Sequence, residues 1–298
     1  MVALAQTQPA LPSDPVRLRA TDGVGLACEF HGPGTGPAVA FAHGFGQTRH
    51  AWRATARHLG ERGWRTLIAD GRGHGDSGWV GDGAYRFEQF IDDAARIAEA
   101  SGGRPAWVGA SMGGLLGMVA ESIAPSGRFA ALVLVDITPR WETRGVARIL
   151  GFMRAHPRGF ASFEEAQAAV REYLPHRAQD KDPRRLARLL VPMPDGRLRW
   201  HWDPRLLETV AHEAERWGPR LTEAARALRL PVLLVSGGRS DVVSRATIDD
   251  FLHCVPHAEH AELADATHMV AGDANDRFTS TIVRFLQRVG HAPPRSTH

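Results

Sequence analysis

The chain is short of the residues that staple small or specialised proteins. It has two cysteines in 298 residues, Cys28 and Cys254. Both lie in apolar stretches and read as buried thiols, so no disulfide framework is expected. Lys181 is the one lysine among 36 basic residues, and the net charge is only +3. That balance gives no electrostatic footprint for nucleic acid. No apolar run reaches the roughly 18 residues of a membrane helix. Met1–Asp14 lacks the basic and apolar regions of an export signal, so a soluble cytoplasmic protein is expected. His253, His257 and His260 stand near Cys254, but Pro256 breaks any helix that would align them, and no metal is expected. Gly71, Gly73 and Gly75 lack the spacing of a dinucleotide fingerprint, so no NAD or FAD is implied and no cofactor is expected.

What the chain does have is a 43% apolar fraction and length enough for one large α/β domain with an insertion. Val16–Thr21 and Gly25–His31 read as a hairpin turning at Asp22-Gly23. Further strands are predicted over Ala38–Ala42, Arg65–Ala69, Pro105–Val108, Ala130–Val135, Val232–Ser236 and Ala258–Leu263. Helical periodicity covers Arg49–Gly63, Phe87–Ser101, the segment after Ser111, and Asp276–Val289. Between Asp136 and about Pro219 the pattern changes to helical pieces such as Val146–Arg154 and Phe163–Tyr173. Ser162 is a predicted N-cap for the second, with Glu165 three residues on. No convincing strand is read in that stretch.

The chemistry concentrates at strand ends. Gly109-Ala110-Ser111-Met112-Gly113 is a G-x-S-x-G sequence between an apolar strand and a helix. Chance gives about 0.1 such pentapeptide in a chain of this composition, so its context carries the meaning. A serine on so sharp a turn is crowded, which requires glycine at positions 109 and 113. After Ala38–Ala42 comes His43-Gly44-Phe45-Gly46, where Gly44 and Gly46 free the backbone. The N–H groups of Phe45 and Met112 could then hold an oxyanion. His43 reads as a structural histidine bonded to backbone. Asp241 follows one strand and His268 another, and Asp136 ends the strand before the insertion.

The order Ser111, Asp241, His268, together with Asp70-Gly71-Arg72-Gly73-His74-Gly75-Asp76-Ser77, resembles the α/β-hydrolase fold superfamily, in its subgroup with a cap. The resemblance spans about residues 15–290. It implies an eight-stranded, mostly parallel sheet flanked by helices, with a helical cap inserted after the sixth strand. The expected organisation is a flexible tail over 1–14, core over 15–136, cap over 137–217, core over 218–290 and a flexible tail over 291–298. The implied activity is serine hydrolysis of a small ester, thioester or lactone. Ser111 would be the nucleophile, His268 the base and Asp241 the acid, with Asp136 the alternative acid. The implied partner is a small ester-like molecule, with neither nucleic acid nor membrane. Two other readings are a carbon–carbon hydrolase or lyase on the same residues, with cap arginines holding a substrate carboxylate, and a non-catalytic small-molecule receptor.

Overall fold

A computed structural model describes residues 15–175, 183–273 and 275–294. Its strands β1 (Val16–Arg19), β2 (Gly25–His31), β3 (Ala38–Ala42), β4 (Arg65–Ala69), β5 (Ala106–Ala110), β6 (Ala131–Val135), β9 (Val232–Gly237) and β10 (Glu259–Leu263) form one sheet in the order β1-β2-β4-β3-β5-β6-β9-β10. The pairs β1–β2 and β2–β4 are antiparallel. The pairs from β4 to β10 are parallel.

The parallel strands read as apolar runs because both faces of the sheet are covered. Alternate residues separate into two cores. Leu132 and Leu134 of β6, with Trp107 of β5, face helices α2 (Phe87–Ala100), α3 (Met112–Ser122), α7 (Leu206–Ala227) and α8 (Arg245–Cys254). Val133 and Val135, with Val108, face α1 (Arg53–Gly60) and α10 (Asn275–Arg288) on the other side. Parallel direction puts the C-terminal ends of β3, β5, β6, β9 and β10 on one edge, where ligand and catalytic groups of α/β sheets gather.

Between β6 and β9 lie α4 (Thr143–Arg154), α5 (Phe163–Tyr173), α6 (Pro183–Ala187), β7 (Leu190–Pro192), β8 (Leu198–Trp200) and α7. Ser162 caps α5 as read, its hydroxyl accepting the Glu165 N–H at 3.3 Å. Several expectations need correction. The insertion is not all helical, since β7 and β8 pair antiparallel. Their turn is Met193-Pro194-Asp195-Gly196, with the Gly196 N–H bonded to Met193 O at 3.0 Å. The boundary at 217 falls inside α7, which continues unbroken to Ala227. The predicted helix over Arg49–Gly63 is a 3-10 turn (Arg49–Trp52) followed by α1. The tail over 291–298 is fixed at its start. The ring of His291 bonds to Ala38 O at 2.7 Å, and its own carbonyl accepts the Trp64 indole N–H at 2.9 Å. The tail expected over 1–14 lies outside the described residues. Among the described residues no helix is long and apolar enough to cross a membrane.

Candidate active site

Strand β5 delivers Ser111 at the N-cap of α3 with φ 49° and ψ −121°, a backbone state that costs a non-glycine residue roughly 1–3 kcal/mol. The glycines around it have a steric reason. A Cβ on Gly109 would lie 2.3 Å from Gly113 O, and one on Gly113 would lie 2.5 Å from Ala42 O. The Ser111 N–H donates to Val135 O at 3.0 Å. That bond sets the serine beside the end of β6, where Asp136 follows with φ 51°. Ser111 and Asp136 are the two non-glycine residues with positive φ among the described residues. Strain of this kind collects at functional sites and persists only where the surroundings over-determine it.

Asp136 is fully buried. Its Oδ1 accepts the Gly237 N–H at 2.8 Å. Its Oδ2 accepts the Ser240 hydroxyl at 2.5 Å and lies 2.7 Å from His268 Nδ1. The Ser240 oxygen itself accepts the N–H groups of Val242 and Val243, each at 3.1 Å. Its own proton therefore points to Asp136. A carboxylate that only accepts takes the Nδ1 proton of His268 as a third donor and leaves the lone pair on Nε2.

The expectation that Asp241 orients His268 is corrected. The Asp241 carboxylate meets Arg148 Nε at 2.6 Å, and its side chain is 37% exposed. The residue that meets His268 is Asp136. The turn after β9 is pinned by Ser240, so Asp241, one residue later, points away toward α4. A Cβ on Gly145 of that helix would lie 2.0 Å from Asp241 O, so the helix sits hard against the turn. In the sequence nothing marks Ser240 apart from the turn it belongs to, since its partner Asp136 lies 104 residues earlier.

The loop after β3 lies against the serine: a Cβ on Gly44 would stand 3.1 Å from Ser111 Cβ. Three buried histidines hold this loop. His43 Nε2 accepts the Gly71 N–H at 2.9 Å, which puts its proton on Nδ1, bonded to Gly44 O at 2.8 Å. Gly44 O also accepts the Gln47 N–H at 3.1 Å. In a trans peptide the carbonyl and the next N–H point opposite ways, so these two bonds aim the Phe45 N–H to the other side. His74 Nε2 accepts the Gly46 N–H at 3.1 Å, and its Nδ1–H donates to Arg72 O at 3.0 Å. His201, from the insertion, accepts the Gly75 N–H on Nδ1 at 2.8 Å and faces Gly46 O with Nε2 at 3.3 Å. Burial is the main force that pulls all three below the ordinary histidine range, His201 to about 4. For His74 the neighbouring rings of His43 and His201 add to it. The three rings are neutral at neutral pH and act as oriented donors and acceptors.

The rest of the turn after β4 is bracing. Asp70 accepts the N–H of Arg49 at 2.6 Å and that of Asp76 at 2.9 Å, and pairs with the Arg49 guanidinium. Arg72 is fully buried between Asp93 and Asp22. Met153 and Trp202 of the insertion stand over Gly46, within 2.9 and 3.6 Å of a Cβ built there. Cys28 is buried, its thiol pushed up to about 12, so it stays unreactive. Among the described residues no three His, Cys, Asp or Glu side chains are grouped to hold a metal ion.

A family model for the alpha/beta hydrolase fold matches residues 37–274. The chain belongs to the α/β-hydrolase fold family. This hydrolase is 29% identical to the 3-hydroxybutyrate-oligomer hydrolase of Cupriavidus necator, over 80% of this chain and 85% of that protein. It is 30% identical to the esterase Rv0045c of Mycobacterium tuberculosis, over 78% and 79% of the two chains. Among solved structures it resembles E-2-(acetamidomethylene)succinate hydrolase with a TM-score of 0.78 at 24% identity, covering 92% of this chain and 99% of that one. That likeness speaks to the fold.

Proposed function

We propose that this hydrolase cleaves small carboxylic esters through an acyl-enzyme on Ser111, with His268 as base and Asp136 as acid. The observation that carries the reading is the hydrogen bond from His268 to a buried carboxylate at the strand end beside a strained serine. In this mechanism Ser111 Oγ attacks the ester carbonyl while its proton passes to His268 Nε2. Asp136 holds the imidazole in the tautomer with Nδ1–H and stabilises the imidazolium that forms. The N–H groups of Phe45 and Met112 receive the negative oxygen. His268 then protonates the departing alcohol, and a water activated by the same histidine releases the acid. The insertion acts as a cap, with Met153 and Trp202 as its roof.

Of the three arginines nearest β6 in the insertion, Arg144 is exposed and two are held by carboxylates of their own, which favours the ester reading over one in which they grip a substrate carboxylate. Arg148 pairs with Asp241 and lies 4.6 Å over the Tyr173 ring, and Arg140 pairs with Asp250. A fluorophosphonate, followed by mass mapping, tests the proposal. The expected adduct is on Ser111, and Ser111→Ala should lose about 10⁶-fold in kcat on p-nitrophenyl butyrate. An adduct on another residue, or a tenth of the activity left in a folded Ser111→Ala enzyme, refutes it.

A further inference from the structure

Among the described residues, His201 makes the one contact in which a side chain of the insertion hydrogen-bonds the backbone of the loop lying against Ser111. It is 3% exposed and bridges two turns of the core. Its Nδ1 takes the Gly75 N–H at 2.8 Å and its Nε2 faces Gly46 O at 3.3 Å. The N–H of the same Gly46 is taken by His74. Gly46 is thus held on both sides, by one histidine from the core and one from the insertion. It follows Phe45 directly and has φ 75°, a left-handed state that glycine adopts freely and other residues rarely do. A glycine with such freedom needs outside contacts to fix it.

We infer that His201 is a positioning residue for the oxyanion site. Through Gly46 it fixes the peptide that presents the Phe45 N–H, and so couples the seating of the insertion to the reactivity of Ser111. This rests on the serine-hydrolase reading above. The role belongs to one edge of the ring. The Nε2–H toward Gly46 sets the loop, while the Nδ1 acceptor toward Gly75 seats the ring. An oxyanion donor displaced by about 1 Å costs on the order of 10²-fold in rate, and loss of such a donor costs 10²–10³-fold. A loosened loop should therefore slow the chemistry and leave ground-state binding nearly unchanged.

Two substitutions separate the edges. In His201→Gln the side-chain amide can reach Gly46 O in place of Nε2. In His201→Asn the shorter amide can replace only Nδ1. Both enzymes are assayed for kcat and KM on p-nitrophenyl butyrate. Both are also titrated with an aryl trifluoromethyl ketone, whose carbonyl takes Ser111 Oγ and becomes a hemiketal oxyanion while His268 keeps the proton. The matching methyl ketone serves as the ground-state control. His201→Asn is expected to lose about 10- to 100-fold in kcat and a similar factor in trifluoromethyl ketone affinity. Its KM and methyl ketone affinity should stay within about threefold. His201→Gln should stay within about threefold of wild type on every measure. Wild-type trifluoromethyl ketone affinity for a folded Asn variant overturns the inference. So does a tenfold kcat loss in folded His201→Gln, a result that decides the matter alone if the Asn variant does not fold. A wild-type enzyme that forms no adduct with the trifluoromethyl ketone overturns the serine-hydrolase reading instead.

Discussion

Replacing Asp136 by Asn separates the two carboxylates that compete for the histidine. The Asn carbonyl can keep the Gly237 N–H, which Oδ1 accepts at 2.8 Å. The amide NH₂ then lies where Oδ2 stood, facing the Ser240 hydroxyl at 2.5 Å and His268 Nδ1 at 2.7 Å. Both neighbours donated to that oxygen, and both now meet a donor. Ser240 cannot absorb the change, because two backbone N–H groups already point at its oxygen. His268 can, by moving its proton to Nε2 and accepting on Nδ1. That tautomer has no lone pair toward Ser111. The same failure in a triad enzyme costs about 10⁴ in kcat, or about 5.4 kcal/mol of transition-state stabilisation. Asp241→Asn only weakens a half-exposed pair with Arg148, a contact of a type that is worth about 0.2–1 kcal/mol. Its kcat should stay within about fivefold of wild type. The assay is p-nitrophenyl butyrate hydrolysis by both variants, with circular dichroism melts to show that each is folded. A larger loss in Asp241→Asn than in Asp136→Asn would refute the assignment of the acid.

Three other outcomes are expected. Arg72→Leu should cost about 3–5 kcal/mol in urea unfolding, because Asp93 stays buried with its charge unpaired; burial already pushes that carboxyl up despite the guanidinium beside it. A loss under 1 kcal/mol would show that the pair is not a brace. His201 is held neutral in the fold, with a value near 4, whereas the unfolded chain takes up its proton below about 6.5. The stability it contributes is therefore full above about pH 6.5 and falls away as the pH drops toward 4. The groups facing it are His43, His74, Asp70 and Asp76. Urea unfolding at pH 6.5, 5.5 and 4.5 should show a shallower fall for His201→Gln than for wild type, by at most about 1.4 kcal/mol per pH unit; equal slopes would show that His201 is not held neutral. Finally, with Met153 and Trp202 pressed on Gly46, kcat/KM over p-nitrophenyl esters should peak between roughly C2 and C6, each methylene adding at most ~0.8 kcal/mol until the roof is met. A maximum at C12 or longer would contradict a low roof.

Much of the fold is legible along the chain because its signals are local. The apolar strands, the Asp22-Gly23 turn and the Ser162 cap each depend on a few neighbouring residues. The crowding that demands Gly109 and Gly113 is local too. The carboxylate that meets His268 is not legible in the same way. Asp136 and Asp241 both follow strands, and the choice between them depends on contacts from far along the chain. Arg148, 93 residues before Asp241, occupies that carboxylate, while Gly237 and Ser240 converge on Asp136. One local difference separates them: Asp136 directly follows the last residue of β6, whereas Asp241 stands four residues beyond the end of β9. The β7–β8 hairpin carried a Pro-Asp-Gly turn signal, but strands of three residues give too little alternation to read. His201 lies between Trp200 and Trp202, a setting that in sequence points to an apolar core. Its hydrogen bonds join turns 126 and 155 residues away, and no local pattern encodes that.

Helix α7 bears on how this hydrolase could be recombined with its relatives. It begins in the insertion, with Leu206 and Leu207 buried there, and ends in the core, where Leu221, Ala224 and Ala225 are buried. A chimera joined near residue 217 would splice two half-helices of different parentage. The splice would sit two residues before Pro219, which cannot donate a helical hydrogen bond. Any mismatch in register there would rotate the donor's roof away from the recipient's serine, since successive residues of a helix turn by about 100°. A transplant should therefore carry the whole helix and be joined in the short stretch between Leu228 and Pro231. The exchangeable unit is then longer than the segment that covers the site, and its far end is inherited together with one face of the sheet.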